Sequence, residues 1–397
     1  MALSEIETPS RNAARRISIL GATGSIGKST ADLIRRNRDR FDVVAVTANK
    51  SAAELAALAR EFDAELAVVA DPAAYEELRE GLSGSGIEAA AGPDALSAAG
   101  GVSADLIVAG IVGAAGLDST LSAVAQGTLV ALANKESLVC AGDLVLAETE
   151  RSGTRLLPLD SEHNAIFQVF ETENAGDVEK LILTASGGPF RTWSRERMAA
   201  ATPDEAIAHP NWDMGRKISV DSATMMNKGL ELIEAAYLFP VNADDIDVLV
   251  HPQSVVHSMV AYVDGSVLAQ LGSPDMRVPI AHALAWPARM ESPAARLDLA
   301  AIGSLEFEEP DHGRFPSIEL ARSALAAGQG TTVILNAANE VAVESFLDGR
   351  IGFLEIAETV MRVLDKVDGH EIASLEDFRS LDRESRHVSE NLVKSAS

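Results

Sequence analysis

From residue 16 to about 159 the chain alternates short β-branched runs with alanine-rich stretches of helical spacing, and few folds accept that alternation. RISIL, VVAVTA, LAVVA, LIVAG, TLVALA and RLLPL are apolar at successive positions, as strands buried on both faces must be. Between them come stretches such as SAAELAALAREF, where apolar residues recur at helical intervals. Buried strands alternating with helices predict an α/β domain built on a doubly wound parallel sheet.

Beyond residue 160 the texture changes. LILTA and VLVHP read as strands, a long polar loop separates them, and VVHSMVAYVDGSVLAQLG reads as a hairpin turning at Asp264 and Gly265. Pro287, Pro293, Pro310 and Pro316 punctuate an extended connector. Farther on, FLEIAETVMRVLDKV places Ile356, Val360, Val363, Leu364 and Val367 on one helical stripe suited to a bundle core. A chain of 397 residues is long enough for two or three domains. The expected organisation is a tail at 1–15, a nucleotide-binding domain at 16–159, an α+β catalytic domain at 160–286, a connector at 287–316 and a helical-bundle domain at 317–397.

Charge and composition remove several classes of function. A formal net charge of −26 repels a polyphosphate backbone, so nucleic acid is not an expected partner. A bound small anion would need its cations concentrated in one cleft, and Arg191, His209, Arg216, Lys217 and Lys228 cluster in sequence. The most apolar candidate for a membrane span, residues 106–117, is too short and glycine-rich. The first fifteen residues lack the apolar core of a signal peptide, so a cytoplasmic protein with a frayed tail is expected. One cysteine, Cys140, leaves no internal disulfide framework.

GATGSIG follows the first strand, with Gly21, Gly24 and Gly27 opening a helix. Such glycines let the backbone approach a pyrophosphate, which then rests on amide hydrogens at the positive end of the helix dipole. At the end of the second strand, where an acid would hold the ribose hydroxyls of NAD, stand Asn49, Lys50 and Ser51. A lysine flanked by neutral polar groups favours a 2′-phosphate, hence NADPH. Asn134, Lys135 and Glu136 follow another strand at the same carboxyl edge of the sheet.

LPLDSEHNAIFQ sets Asp160 and Glu162 where an apolar run ends. Asp160 reads equally as a helix cap with Glu162 in the first turn, or as half of an oxygen-rich site for a hard divalent cation. A second acid comes from KISVDSATMMNKGLELIEAAYLF. There Asn227, Lys228 and Glu231 share one flank of a helix whose neighbouring stripe is Leu230, Ile233 and Tyr237. Ser222, Asn227 and Lys228 supply hydroxyl, amide and ammonium donors suited to phosphate. In residues 185–217, Ser186, Gly187 and Gly188 form a tight turn, and a loop carrying His209, Trp212 and Gly215 has the make-up of a lid. His251 and His257 in HPQSVVH are weaker candidates.

Taken together, GATGSIG, ALANKESLV, LPLDSEHNAIFQ, ASGGPF, HPNWDMGRKISVDSATMMNKGLELIEA and HPQSVVHSMV resemble the 1-deoxy-D-xylulose 5-phosphate reductoisomerase family along nearly the whole chain from residue 16. The resemblance implies conversion of deoxyxylulose phosphate to 2-C-methyl-D-erythritol 4-phosphate with NADPH and Mg²⁺ or Mn²⁺ in non-mevalonate isoprenoid biosynthesis. It also implies a homodimer. Carried over by residue, it makes Asp160, Glu162 and Glu231 the metal ligands, and sets Lys135 and Ser161 on the substrate near the metal. Ser186, His209, Ser222, Asn227 and Lys228 would hold the phosphate, with Trp212 over the carbon chain. Gly21, Thr23, Gly24, Ser25 and Ile26, then Asn49, Lys50 and Ser51, then Asn134, Glu136 and Gly215 would hold the nucleotide. Lys135, Asp160, Glu162, Glu231 and His209 would be the catalytic set. The sequence departs from the family at Asn49, where a glycine is frequent.

Two other readings make different demands. A reductase of the semialdehyde dehydrogenase type shares the GATG opening but needs a reactive thiol, and Cys140 lies in the apolar context SLVCAG. A nucleotide-sensing protein without catalysis would have no use for the three acids.

Overall fold

A computed structural model describes residues 14–212 and 214–396. The expected tail at 1–15 falls outside the described residues apart from its last two positions. Arg15 is no part of a tail: it opens the first strand, and its guanidinium donates to the carbonyls of Leu284 at 2.7 Å and Trp286 at 3.0 Å.

The chain divides into two compact units. The first comprises residues up to 134, 148–157 and 280–292. Its sheet has seven strands: β1 (Arg15–Leu20), β2 (Phe41–Ala48), β3 (Leu66–Val69), β4 (Glu88–Ala91), β5 (Leu106–Ala109), β6 (Leu129–Leu132) and β7 (Arg155–Pro158). Their order is β4-β3-β2-β1-β5-β6-β7, and β1 pairs in parallel with both β2 and β5. The order therefore reverses beside β1, and ligands of doubly wound sheets bind in the crevice at such a reversal. Six of the strands coincide with the β-branched runs. The seventh, β4, has the sequence EAAA, whose alanines carry no strand signal; pairing with β3 supplies what propensity does not. Helices α1 (Ser25–Arg36) and α2 (Ala52–Phe62) bury Leu33, Ile34, Leu55 and Phe62.

The second unit comprises residues 135–147, 158–279 and 293–397. Its sheet runs β11 (Val267–Leu271), β10 (Val256–Tyr262), β8 (Val178–Ala185), β9 (Ile246–Val250), with β8 and β9 parallel and the other pairs antiparallel. The hairpin between β10 and β11 turns at Asp264 and Gly265, where Gly265 has φ +88° and Asp264 Oδ1 accepts from the Ser266 amide at 2.8 Å. The helices that carry polar groups in this unit are α3 (Glu136–Ser152), which continues past residue 147 into the first unit's residues, α4 (Ser161–Val169), α5 (Arg216–Ala223) and α6 (Met226–Leu238). Four more, α7 (Ser317–Ala327), α8 (Gln329–Leu347), α9 (Phe353–Leu364) and α10 (Leu375–Ala396), follow.

The segment expected as a separate helical domain, 317–397, shares its core with the four-stranded sheet. Leu181, Leu183, Phe190, Leu232, Phe346, Phe353, Ile356 and Val393 form one buried cluster. The α9 stripe faces inward as its spacing requires, with Ile356, Val360 and Val363 buried and Leu364 half-buried, while Val367, also buried, lies just past the end of the helix. Phe190 is the hinge of this packing, its ring 4.4 Å from that of Trp193 and 4.7 Å, edge-on, from Phe353. Phe190→Ala is expected to cost about 3–5 kcal/mol, because the emptied volume lies between a loop and a helix that cannot both close on it. Calorimetry should show the melting temperature falling by roughly 10 °C; a fall below about 3 °C would mean that the two segments are not sharing a core.

Candidate active site

In the first unit the glycine turn does what its sequence requires. Gly21 has φ +83°, and a Cβ there would lie 2.8 Å from the Gly110 carbonyl oxygen at the end of β5. Its amide donates to Thr47 Oγ1 at 2.9 Å, tying the turn to the end of β2. Gly24 is the N-cap of α1 and supplies no side-chain cap, and the first turn contains no acid, so the amides after Thr23, Gly24, Ser25 and Ile26 meet no competing carboxylate. Asn49, Lys50 and Ser51 are exposed beyond β2, with Lys50 Nζ 3.8 Å from Asp71. Asn134 is nearly fully buried, and its amide donates to Ile111 O at 2.5 Å and Gly113 O at 2.8 Å. Its side chain shapes the loop after β5.

The second unit brings together three acids from two distant segments. Asp160 ends the stretch after β7 and is the N-cap of α4, where its Oδ1 accepts from the amides of Glu162 at 3.1 Å and His163 at 3.4 Å. Its Oδ2 accepts from Lys135 Nζ at 2.8 Å. Capping thus occupies only one of the two oxygens and leaves the other facing the neighbouring side chains. Glu231, on α6, is fully buried. One carboxylate oxygen from each of Asp160, Glu162 and Glu231 lies within 4.8 Å of the others.

Two ammonium groups hold this set. Lys135 Nζ also donates to Asn227 Oδ1 at 2.9 Å and Glu231 Oε1 at 3.1 Å. Lys228 Nζ donates to Glu162 Oε1 at 2.9 Å and to Glu231 Oε2. Asn227 Nδ2 donates to Glu231 Oε1 at 2.5 Å, and Ser161 Oγ to Glu162 Oε2 at 2.6 Å. Burial lowers the Lys135 ammonium, but Asp160, Glu231 and Glu234 together outweigh it and hold it well above its ordinary range. Burial would raise Asp160, yet Lys135, His163 and Lys228 hold it well below the usual carboxylate range. Glu162 is the exception: burial, then the neighbouring Glu231 carboxylate, push it up to about 7. With Glu162 ionised, three carboxylates face two ammoniums, an excess of one negative charge in a largely enclosed place. An all-oxygen donor set with excess negative charge is the chemistry a hard divalent cation fits.

Behind the acids lies a pair that the sequence reading passed over. His163, fully buried, donates through Nε2 to the Glu231 carbonyl oxygen at 2.9 Å, and its Nδ1 is 3.1 Å from Glu234 Oε2 and 3.5 Å from Asp160 Oδ1. Burial alone would lower this imidazole, but Glu234 and Asp160 raise it to about 9. The signal was available, since His163 stands one helical turn after Asp160 and Glu234 one turn after Glu231.

A second group of donors assembles around the turn at 186–188. Gly188 has φ +67°, and a Cβ on it would lie 2.6 Å from the Ser222 carbonyl oxygen, so only glycine lets this turn reach the end of α5. Ser186 Oγ is 2.8 Å from His209 Nε2. His209 Nδ1 accepts from the amides of Asn211 at 3.2 Å and Trp212 at 3.0 Å, which places the ring proton on Nε2, donating to Ser186. Asn211 anchors the loop through Pro252 O at 2.7 Å and Ser254 Oγ at 2.9 Å, and Trp212 lies 6.0 Å from the ring of His257. His251 serves the fold, bonded through Nδ1 to Glu306 O at 2.7 Å and stacked on Phe307.

Burial lowers His209 to about 4. A histidine depressed in the folded state contributes stability that is complete above the ordinary value of about 6.5 and is lost as pH falls toward the folded value. Proton NMR of the imidazoles should therefore find His209 neutral at pH 6 with a midpoint of about 4; a midpoint above 6 would contradict the tautomer and the loop contacts derived from it.

Of the remaining candidates, Glu136 is buried, and its carboxylate accepts from Lys217 Nζ at 3.1 Å. Burial would raise it, but Lys217 holds it below the ordinary carboxylate range. Gly215 is the N-cap of α5. Cys140 is 1% exposed, and burial pushes its thiol well up, which removes the nucleophile that a semialdehyde dehydrogenase mechanism needs. No helix among the described residues is long and apolar enough to cross a membrane.

Comparison with known proteins agrees with this chemistry. Three family models match: 1-deoxy-D-xylulose 5-phosphate reductoisomerase over residues 17–142, its C-terminal domain over 156–239, and the DXP reductoisomerase C-terminal domain over 271–388. The 1-deoxy-D-xylulose 5-phosphate reductoisomerase of Rhodospirillum centenum is 58% identical over 96% of this chain and 94% of its own. That of Zymomonas mobilis is 54% identical over 96% and 98%. Among solved structures, the Zymomonas mobilis enzyme in complex with NADPH superposes with a TM-score of 0.92 at 53% identity, covering 96% of this chain and 100% of that one. A DOX-P reductoisomerase in complex with NADPH, fosmidomycin and magnesium gives 0.90 at 44% identity, covering 96% and 98%.

Proposed function

The chain belongs to the 1-deoxy-D-xylulose 5-phosphate reductoisomerase family, and from that premise we propose how its residues carry the reaction. The protein rearranges and reduces 1-deoxy-D-xylulose 5-phosphate to 2-C-methyl-D-erythritol 4-phosphate, using NADPH and a divalent metal, in isoprenoid biosynthesis. The observation that carries the reading is the meeting of Asp160, Glu162 and Glu231 within 4.8 Å, in the same unit as the Ser186, Ser222 and His209 donors.

Asp160, Glu162 and Glu231 hold the cation, Mg²⁺ or Mn²⁺. When bound it supplies Lewis-acid polarisation of the ketone and adjacent hydroxyl oxygens, while NADPH supplies the hydride. Lys135, already joined to Asp160 and Glu231, sets the charge around the reacting end and contacts the substrate there with Ser161. Ser186, Ser222, Asn227 and Lys228 bind the phosphate. An ammonium has three donor hydrogens, and Lys228 spends two on Glu162 and Glu231. His209 donates from the loop, and Trp212 covers the carbon chain and excludes water. Gripping the phosphate at a distance orients the fragments that part and rejoin.

In the nucleotide-binding role, the turn at Gly21, Thr23, Gly24, Ser25 and Ile26 takes the pyrophosphate, and Asn49, Lys50 and Ser51 the 2′-phosphate. Asn134, Glu136 and Gly215 complete it. The residues at 16–159 form the nucleotide-binding part, and 160–286 the catalytic part, of a cytoplasmic protein. A homodimer is supported by β11, an edge strand with Val267 and Leu268 exposed beside Val263.

The test is NADPH consumption with deoxyxylulose phosphate, with and without chelator. Turnover should appear only with the substrate and Mg²⁺ or Mn²⁺ together; turnover that survives exhaustive chelation would refute the metal's part in it.

A further inference from the structure

Lys217 has no part in the metal, substrate or nucleotide contacts proposed above, yet it stands where three elements of the second unit meet. Its Nζ donates to Glu136 Oε1 at 3.1 Å and pairs with Asp221 Oδ2 at 3.1 Å. The two carboxylates are 5% and 2% exposed. Asp221 Oδ1 in turn accepts from Asn339 Nδ2 at 2.7 Å, and Asn339 is fully buried on α8. The same part of α3 is bound to α8 a second time, by Thr332 Oγ1 donating to Val139 O at 2.5 Å. A continuous polar chain thus runs from α3 through α5 to α8. Burial alone would lower the Lys217 ammonium, but Asp221, Glu136 and Glu340 hold it far above its ordinary range, so it is charged throughout the working pH range.

The ends of that chain are what give it meaning. Glu136 is the residue after Lys135, whose ammonium reaches Asp160 and Glu231. Asp221 is the residue before Ser222, whose carbonyl the Gly188 turn packs against. One ammonium therefore fixes the backbone carrying a group at the reacting end of the substrate to the backbone carrying a group at its phosphate end. We propose that Lys217 is a positioning residue that sets the register between those two ends of the substrate site, acting through Glu136 and Asp221 without touching the substrate. This rests on the roles of Lys135 and Ser222 proposed above.

A bridge of this kind acts on the whole substrate and not on either half. Misplacing two grips relative to one another by about 1 Å can cost on the order of 100-fold in rate, while each grip alone still binds its own fragment. In the full chain, Lys217→Met should lower kcat/KM for deoxyxylulose phosphate at least 30-fold, chiefly in kcat. Competitive inhibition by inorganic phosphate, which needs the phosphate end alone, should stay within threefold of wild type. Lys217→Arg, which keeps the charge and can bridge both carboxylates, should recover most of the loss. A residue that only stabilises the fold would lower the melting temperature and leave these ratios unmoved.

Removing the ammonium strands two buried carboxylates and destabilises Lys217→Met; Asp221→Asn is the second variant, isosteric and leaving the Lys217 to Glu136 pair intact. It should lose about fivefold in kcat/KM, again with phosphate inhibition unchanged. The proposal is overturned if the folded variants keep kcat/KM within twofold of wild type, if phosphate inhibition weakens in step with kcat/KM, or if arginine rescues no better than methionine. A wild type inactive with substrate, NADPH and metal would instead refute the functional reading itself.

Discussion

Glu231→Gln should abolish turnover while leaving the folded protein at least as stable as the wild type. The activity loss follows from the donor set. Glu231 gives one oxygen to the group that meets within 4.8 Å and accepts from both Lys135 and Lys228. An amide in its place halves the donor capacity and removes the charge that holds a divalent cation against two ammoniums. Loss of about 4 kcal/mol of transition-state stabilisation corresponds to roughly 1,000-fold in kcat. Stability should move the other way. The cation-free wild type has three carboxylates facing two ammoniums, with Glu162 pushed up to about 7 by burial and Glu231. The variant has two facing two. Functional sites carry charge arrangements that cost stability, and relieving one raises it. Calorimetry without metal should give a melting temperature equal to or above that of wild type. A fall of more than about 5 °C would show that Glu231 holds the fold and that its charge is not in excess.

Gly21→Ala should cost nucleotide binding about 100-fold or more. The position has φ +83°, where alanine is strained by about 1–2 kcal/mol, and its Cβ would lie 2.8 Å from Gly110 O. Because Gly110 follows β5 and the turn is tied to Thr47 at the end of β2, the clash can be relieved only by moving the turn away from the sheet edge. The amides of the first turn of α1 then no longer converge on one place. Gly265→Ala is the matching control. Its φ is +88°, but no atom lies within 4 Å of the added Cβ, so strain alone should remain and NADPH affinity should not change. Fluorescence titration with NADPH reads both variants; equal affinities in Gly21→Ala and wild type would remove the pyrophosphate from this turn.

The two predictions differ in how far the sequence foretells them. Gly21 is legible because its neighbours are local: a strand followed at once by a glycine and a helix start predicts its conformation. Strands β1, β2, β3, β5, β6 and β7 are legible for the same reason, since burial on both faces writes itself as β-branched runs. The strand β4 is not, because EAAA owes its state to pairing with β3.

The acid set is legible only as candidates. Asp160 and Glu162 lie near one another in sequence, but their meeting with Glu231 across some seventy residues depends on how α4 and α6 pack. Nothing local distinguishes a cap from an ion ligand, and Asp160 caps its helix with one oxygen while the other accepts from Lys135. Lys135 is legible as a polar residue at a sheet edge, whereas its three bonds to Asp160, Asn227 and Glu231 are set by tertiary structure. Asn134 and Glu136 are buried and bonded within the protein, a fact that spacing cannot convey. What the helical region at 317–397 packs against is not legible for a related reason. An amphipathic stripe announces that a helix buries one face, but not whether the face meets other helices or, as around Phe190 and Phe353, the neighbouring loop and sheet.

The central proposal is one cation shared by Asp160, Glu162 and Glu231. Crystals soaked in Mn²⁺ and measured at the manganese absorption edge test this directly. A single anomalous peak is expected in the second unit, about 2.0–2.3 Å from an oxygen of each of the three carboxylates. A peak elsewhere, or one touching fewer than two of these side chains, would contradict it.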